Sequence, residues 1–268
     1  MKYDFSHWEG KLPKISFQCI TYARPTLLAE AIQCFLLQDY PGEKEMVILN
    51  DHPEIIVKPH PSIDIPTIKF VNLPERVATI GEKRNICCEM CTGDIIMPQD
   101  DDDISLPWRM SVSMQYMRNK HYFKPERYIK LRRGVISGVQ KNVAHAMGAF
   151  SKELWIKAGK YAVMQSGQDQ TMENAFKKTG MRDVRSIKNE ELFYIYRWSS
   201  TGSYHLSTYG WNRGFANCAS FVKKKQIKSG EYIIKPNWKN AYDKLYISYI
   251  PRVRDHVPKP RTVSMKRR

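Results

Sequence analysis

No apolar run in these 268 residues approaches the roughly 18 needed to cross a bilayer. Residues 1–10 lack the apolar stretch of a secretory leader, so the cytoplasm is the expected location. Cysteine is scarce. Cys19, Cys34, Cys87, Cys88, Cys91 and Cys218 are too few and too unevenly spaced for a disulfide framework. Cys88 and Cys91 form one CxxC, with no second pair or His pair at zinc spacing, so buried thiols in a reducing compartment are expected. No internal repeat is visible. Acidic residues are sparse where it matters most: residues 111–268 hold only 10 of the 27.

What is present describes a folded chain. Apolar residues make up 42% and charged residues 26%, which excludes a mainly disordered or collagen-like protein. The length allows one large domain or two small ones. Residues 1–110 carry 11 Lys+Arg against 17 Asp+Glu, a net of −6, whereas residues 111–268 carry 32 against 10, a net of +22. Aromatics divide 9 to 22 in the same direction. An acidic first half and a basic, aromatic second half imply two surfaces with different partners, the second suited to a polyanion.

Hydrophobic periodicity predicts strands over 14–23, 45–49, 68–72 and 94–98. Between them, a helix opens at Arg24-Pro25-Thr26 and stops at Pro41-Gly42, and a second begins near Gly81 and ends at Gly93. The second half reads less regularly, with helices over 108–117, 151–159 (Ser151 as cap) and 170–179, and a strand over 192–196. From Pro251 the chain holds three prolines, seven Lys/Arg and one Asp, the composition of a mobile basic tail. The alternation predicts an α/β fold: a mostly parallel central sheet with helices on both faces. Ligands of such sheets sit beyond the carboxyl ends of the strands, where Thr21-Tyr22, Asn50-Asp51 and Asp100-Asp101-Asp102-Asp103 all fall.

Four adjacent carboxylates repel one another unless a cation or solvent relieves them. Either a solvated acidic turn or a hard divalent cation shared with a diphosphate meets that need; the apolar strand before the run and Pro107 after it favour the cation.

In order along the chain come Thr21-Tyr22-Ala23-Arg24-Pro25, Asn50-Asp51, Gly81-Glu82-Lys83-Arg84-Asn85, Gly93-Asp94-Ile95-Ile96, the aspartate run with Pro107, and Gly167-Gln168-Asp169. This series resembles the family-2 glycosyltransferases of GT-A (Rossmann-like) architecture over roughly residues 14–205. The resemblance implies an inverting, metal-dependent transferase with Mn2+ or Mg2+ and a nucleotide-sugar donor, a UDP-sugar by preference. It assigns Thr21, Tyr22, Arg24, Asp51, Arg84, Asp100 and Asp101 to the nucleotide sugar, with Asp51 on the base. Asp102 and His205 fall to the metal, and Asp169 to the catalytic base. Asp103 either supports the metal site or points to water. The family's Gly-Ser after the base-binding Asp is replaced by His52-Pro53, and the acidic residue before the catalytic Asp by Gln168.

Plainer roles are open to the same residues: an Asx turn for Asp51, a surface helix ion pair for Arg84, a helix cap for Asp169, a structural role for His205. Processive synthases carry Gln-x-x-Arg-Trp. Here Tyr194 stands for the Gln ahead of Arg197-Trp198, and membrane spans are lacking, which favours single addition.

Within this resemblance residues 1–110 form the nucleotide-sugar half, 111–250 the acceptor half and 251–268 a basic tail. Lys130, Arg132, Arg133, Lys141, Lys223, Lys224 and Lys225 could neutralise several phosphates, with Tyr and Trp between them able to stack bases. The acceptor expectation is therefore DNA, at a hydroxymethylated pyrimidine rotated out of the duplex, as some bacteriophages encode. A lipid-linked or surface glycan, with the basic patches held against an anionic membrane, is the alternative. A non-catalytic relative that only binds nucleic acid is a third reading, and a plain solvated basic face a fourth.

Overall fold

A computed structural model describes residues 1–63, 65–141, 145–198 and 228–254. Among these, the first half contains strands β1 (Ile15–Thr21), β2 (Lys44–Asn50), β3 (Ile55–Pro59), β4 (Ile68–Asn72), β5 (Ile95–Pro98) and β6 (Ile104–Ser105). The second half adds β7 (Tyr122–Pro125), β8 (Arg127–Arg132), β9 (Val135–Lys141), β10 (Ala149–Ser151), β11 (Val184–Arg185), β12 (Tyr194–Trp198) and β13 (Gly230–Ile234). The helices are α1 (Pro25–Leu36), α2 (Ile80–Met90), α3 (Arg109–Tyr116), α4 (Lys152–Lys157), α5 (Gln168–Lys178) and α6 (Tyr242–Arg254).

The central sheet runs β11-β7-β10-β5-β1-β2-β4. The stretch β5-β1-β2-β4 is parallel throughout, as the alternation predicts. β10 runs antiparallel to both neighbours and makes the sheet mixed. Successive side chains point to opposite faces, and both faces are apolar. Ile15, Phe17, Cys19, Met46 and Ile48 pack with Leu28, Ala31, Ile32 and Phe35 of α1. Val47, Leu49 and Ile96 pack on the other face with Cys87 and Cys88 of α2 and Phe176 of α5. Helices therefore cover both faces. Cys88 and Cys91 are buried free thiols within that second layer.

Register puts the site residues in line. Thr21 lies opposite Asn50, and Asn50 opposite Asn72, so the ends of three parallel strands form one edge. β5 ends at Pro98 beside Gln18 and releases the chain directly into the aspartate run. A second sheet, β6-β12-β8-β9, carries Tyr194 and Arg197 to that edge, because β12 pairs with β6 immediately after the run. β13 pairs with β3 in a separate two-stranded sheet.

Several boundaries differ from the sequence reading. α1 and α2 stop ahead of Pro41-Gly42 and Gly93. Gly93 serves close packing instead: a Cβ there would lie 2.6 Å from Ser16 Oγ and 2.8 Å from the Lys14 carbonyl oxygen. The 192–196 strand begins at Tyr194. The chain expected to loosen at Pro251 stays helical through Arg254; residues 255–268 lie outside the described residues, as do His205, Cys218 and Lys223 to Lys225.

One buried cation ties the strand end to the helical layer. Arg109, fully buried, donates to the carbonyls of Pro98 (2.9 Å), Ala146 (2.7 Å) and Gly148 (3.2 Å) and to Ser105 Oγ (2.8 Å). The rings of Phe17 and Tyr194 flank its guanidinium at 5.1 and 5.6 Å. Burial lowers its pKa to about 10. Removing the side chain orphans three buried carbonyls at about 1 kcal/mol or more each. Arg109→Ala is expected to lose at least about 3 kcal/mol of stability in urea unfolding; a loss below about 1 kcal/mol contradicts this assignment.

Candidate active site

Each of the four aspartates has a partner from elsewhere in the chain, Arg24 serving two of them. Asp100 accepts from Arg84 Nη2 at 2.9 Å. Asp101 accepts from the Thr21 hydroxyl at 2.6 Å and pairs with Arg24 at 2.5 Å. Asp102 faces the other Arg24 nitrogen at 3.3 Å. Asp103 accepts from the Tyr194 hydroxyl at 2.6 Å and from the Arg197 backbone N–H at 2.8 Å. Arg197 also donates its Nε to the Asp102 carbonyl and pairs with Glu30. The run is not a solvated turn: Asp101, Asp102 and Asp103 are all buried. Asp103 does not point to water; it is the anchor that joins the run to β12. Burial, reinforced by Asp102 and opposed by Arg24, pushes the Asp101 carboxyl up to about 6.

Asp100, Asp102 and Asp103 each offer a carboxylate oxygen within 4.8 Å of the others. An all-carboxylate donor set suits a hard divalent cation such as Mg2+ or Mn2+. Of the three, Asp103 is fully buried and engaged by Tyr194 and Arg197, whereas the Asp100 side chain is the most exposed. The residues fit the group.

α2 brings the remaining pieces together. Thr79 caps it, its side chain accepting from the Glu82 N–H at 3.2 Å. Consecutive residues on a helix project about 100° apart, so Lys83 and Arg84 serve different carboxylates. Lys83 pairs with Asp51 and donates to the Thr21 carbonyl at 2.6 Å. Burial lowers the Lys83 pKa, with the Asp51 charge opposing. Asp51 also accepts from the Val77 N–H at 3.1 Å, so it is a bridging acceptor rather than an Asx turn. Around it, Thr21, Tyr22, Arg24, Arg76 and Gln165 line an open cleft. His52 and Arg76 lie 4.7 and 4.4 Å from the Tyr22 ring.

Arg84 is not a surface ion-pair residue. It is buried, donates to Gln18 Oε1 at 3.3 Å, and binds Asp100 while its Nε lies 3.5 Å from Asp169 Oδ1. Burial works against the guanidinium charge, but Asp169 and Asp100 outweigh it and raise its pKa well above the usual arginine value. Asp169 stands in the first turn of α5, two residues past the cap rather than at it; Gly167 is the cap, at φ 79°. Gln168 Nε2 donates to Asp169 Oδ1 at 3.3 Å. The Asp169 side chain is 38% exposed and its Oδ2 has no hydrogen-bond partner among the described residues. Arg84 thus bridges Asp100 of the aspartate run and Asp169.

Sequence reasoning quoted Lys83 without assigning it, and it missed the contact that seats the Asp169 loop. Asn85 donates to the Tyr161 carbonyl and accepts from its N–H, both at 2.8 Å. Gly81 donates its N–H to the Met164 carbonyl at 3.2 Å. A Cβ on Gly81 would lie 1.9 Å from the Ala162 carbonyl oxygen, closer than any contact allows. Gly81→Ala is expected to cost about 1–3 kcal/mol and to raise amide hydrogen exchange selectively over residues 161–167. Unchanged exchange in that loop contradicts the clamp.

With this geometry in hand, comparisons with known proteins agree. The Glycosyl transferase family 2 profile matches residues 16–182. No curated protein matches the sequence. Among solved structures, the S. aureus TarS fragment 1–349 in complex with UDP-GlcNAc aligns at a TM-score of 0.56 and 15% identity, covering 89% of this chain and 72% of that one. Mannosyltransferase PcManGT from Pyrobaculum calidifontis, in complex with GDP-Man and Mn2+, aligns at 0.53 and 14%, covering 93% and 72%. These likenesses establish the α/β fold with its large, mostly parallel central sheet. Because the profile spans more than half of the sequence, the chain belongs to glycosyl transferase family 2 and is a glycosyltransferase.

Proposed function

We propose that this chain transfers one sugar, with inversion, from a nucleotide-sugar donor to a hydroxyl on a polyanionic acceptor. The observation that carries the reading is the Arg84 guanidinium, held between Asp100 and Asp169, which sets the donor-side carboxylates and the proposed base across one cleft. The cleft at Asp51, Lys83 and Tyr22 takes the nucleotide, and residues 1–110 form the donor half. The neighbours' complexes with UDP-GlcNAc and with GDP-Man and Mn2+ support a donor of this class, and a UDP-sugar is the preferred form.

Asp169 Oδ2 is the oxygen placed to accept the proton of the acceptor hydroxyl as that oxygen bonds to the anomeric carbon. The bond from that carbon to the diphosphate breaks on the opposite face, and the diphosphate keeps the electron pair. Arg84 holds Oδ1 and fixes the carboxylate's orientation; the first turn of α5 favours its negative charge. Arg24 and Arg84 add positive charge beside the diphosphate side. Asp100 and Asp102 would hold Mn2+ or Mg2+, which when bound supplies charge neutralisation to the departing diphosphate.

For the acceptor, DNA carrying a hydroxymethylated pyrimidine is favoured by the net +22 of residues 111–268, the proposed acceptor half. No helix among the described residues is long and apolar enough to cross a membrane.

Asp169→Asn is expected to lower transfer by about 10²–10⁴ while UDP affinity, read by calorimetry with Mn2+, is retained. Full transfer by Asp169→Asn contradicts the base assignment. Mass spectrometry of hydroxymethylated DNA incubated with mixed nucleotide-sugars is expected to show an added sugar mass. Transfer to an oligosaccharide alone, with unmodified DNA, overturns the DNA acceptor and leaves the transferase in place.

A further inference from the structure

We propose that the β8–β9 hairpin grips the phosphodiester backbone of a nucleic-acid acceptor, with Arg132 and Arg133 as the phosphate-binding side chains. This rests on the polyanionic-acceptor reading above and names the element that would perform it. Three independent observations converge on that tip.

Turn chemistry is the first. β8 and β9 join through two residues, Arg133 at φ 52° and Gly134 at φ 78°, with Arg132 opposite Val135. Two successive positive φ values define a type I′ turn, whose first central position favours Asn, Asp or Gly. A long side chain there sits in the left-handed region at a steric cost. Arginine is thus present against the local backbone preference, which is what a residue retained for contact rather than for folding looks like.

Charge is the second. Residues 127–141 contain Arg127, Lys130, Arg132, Arg133 and Lys141 and no acidic residue. Arg127 is spent inside the fold, donating to the Asn189 side chain at 2.7 Å and to the Ile187 carbonyl at 2.5 Å. Arg132, Arg133 and Lys141 are exposed, and among the described residues no carboxylate pairs with them. Val135 beside them is 65% exposed and adds an apolar contact of the kind a sugar ring uses.

Position is the third. β8 runs parallel to β12 with Leu131 beside Arg197 and Arg132 beside Trp198. Neighbouring strands lie about 4.8 Å apart. Arg197 donates its N–H to Asp103 and its Nε to the Asp102 carbonyl. Through Arg197, the hairpin's strand β8 therefore neighbours the aspartate run. A phosphate held there fixes the strand's register while leaving base recognition to other residues.

Binding of a fluorescein-labelled duplex containing hydroxymethylcytosine, followed by anisotropy over a series of NaCl concentrations, tests this without requiring turnover. Arg132→Ala/Arg133→Ala is expected to weaken binding about tenfold and to reduce the salt slope by about 2, near 0.9 per lost phosphate contact. Arg133→Asn is expected to reduce the slope by about 1 and, by restoring preferred turn chemistry, to raise Tm by about 2–4 °C. Gain in stability with loss in binding is a signature a purely structural arginine does not give. Lys177→Ala/Lys178→Ala, exposed on the last turn of α5, should leave the slope unchanged. If the wild type binds and the hairpin variants match it in affinity and slope, or the α5 variant loses as much, the hairpin proposal is overturned alone. If the wild type does not bind the duplex, the nucleic-acid reading falls and the hairpin proposal with it.

Discussion

Four consecutive carboxylates sit at the end of β5, three of them buried, and their mutual repulsion is the constraint around which the rest of the site is arranged. Water does little to screen them, since Asp101, Asp102 and Asp103 are buried. Compensation comes from four separate stretches of chain: Thr21 at the end of β1, Arg24 just before α1, Arg84 on α2, and Tyr194 with Arg197 on β12. Each is a long-range contact, so the charge of the run is what draws these elements to one edge of the sheet. Arg24 is shared between two aspartates and Arg84 between Asp100 and Asp169. Asp100, Asp102 and Asp103 bring carboxylate oxygens within 4.8 Å of one another, a grouping that suits a hard cation.

α2 is the mechanical link across that site. Lys83 reaches the nucleotide-side Asp51, Arg84 reaches both Asp100 and Asp169, and Asn85 and Gly81 hold the loop that precedes α5. Four of the five residues from Gly81 to Asn85 thus tie the proposed donor pocket to the proposed base. Behind α5, Glu173 secures the same unit: it accepts from Tyr122, Lys124, His145 and Arg182. Burial would raise the Glu173 carboxyl, but the hydrogen bond and charge of His145, with Lys124, hold it well below the usual carboxylate range. His145 passes the contact to the Tyr161 hydroxyl at 2.6 Å.

Much of this was legible in the sequence where local pattern and function coincide. The parallel core strands read directly, because period-2 apolar segments between helical segments have few other solutions. Thr21, Asp51 and the aspartate run stood out as polar residues just beyond strand ends, whereas Arg84 and Asp169 were singled out by the family resemblance; in the structure Arg84 meets both Asp100 and Asp169. What stayed hidden depends on tertiary proximity. Lys83 carried no assignment until its burial and its pairing with Asp51 gave it one. Gly81 and Gly93 read as helix punctuation, whereas both serve close backbone approach. The β8–β9 hairpin was invisible because Arg133-Gly134 lacks the usual turn dipeptide. The antiparallel β10 escaped because three residues carry no periodicity.

The central claim is that these compensated carboxylates hold a divalent cation against a nucleoside diphosphate, with Asp169 across the cleft. A crystal structure of the protein with UDP and Mn2+ tests it most directly. The account predicts manganese on the Asp102 carboxylate and a phosphate oxygen at once, with uracil beside Asp51 and Asp169 facing the β-phosphate side. UDP seated away from Asp51, or manganese touching none of Asp100, Asp102 and Asp103, would contradict it.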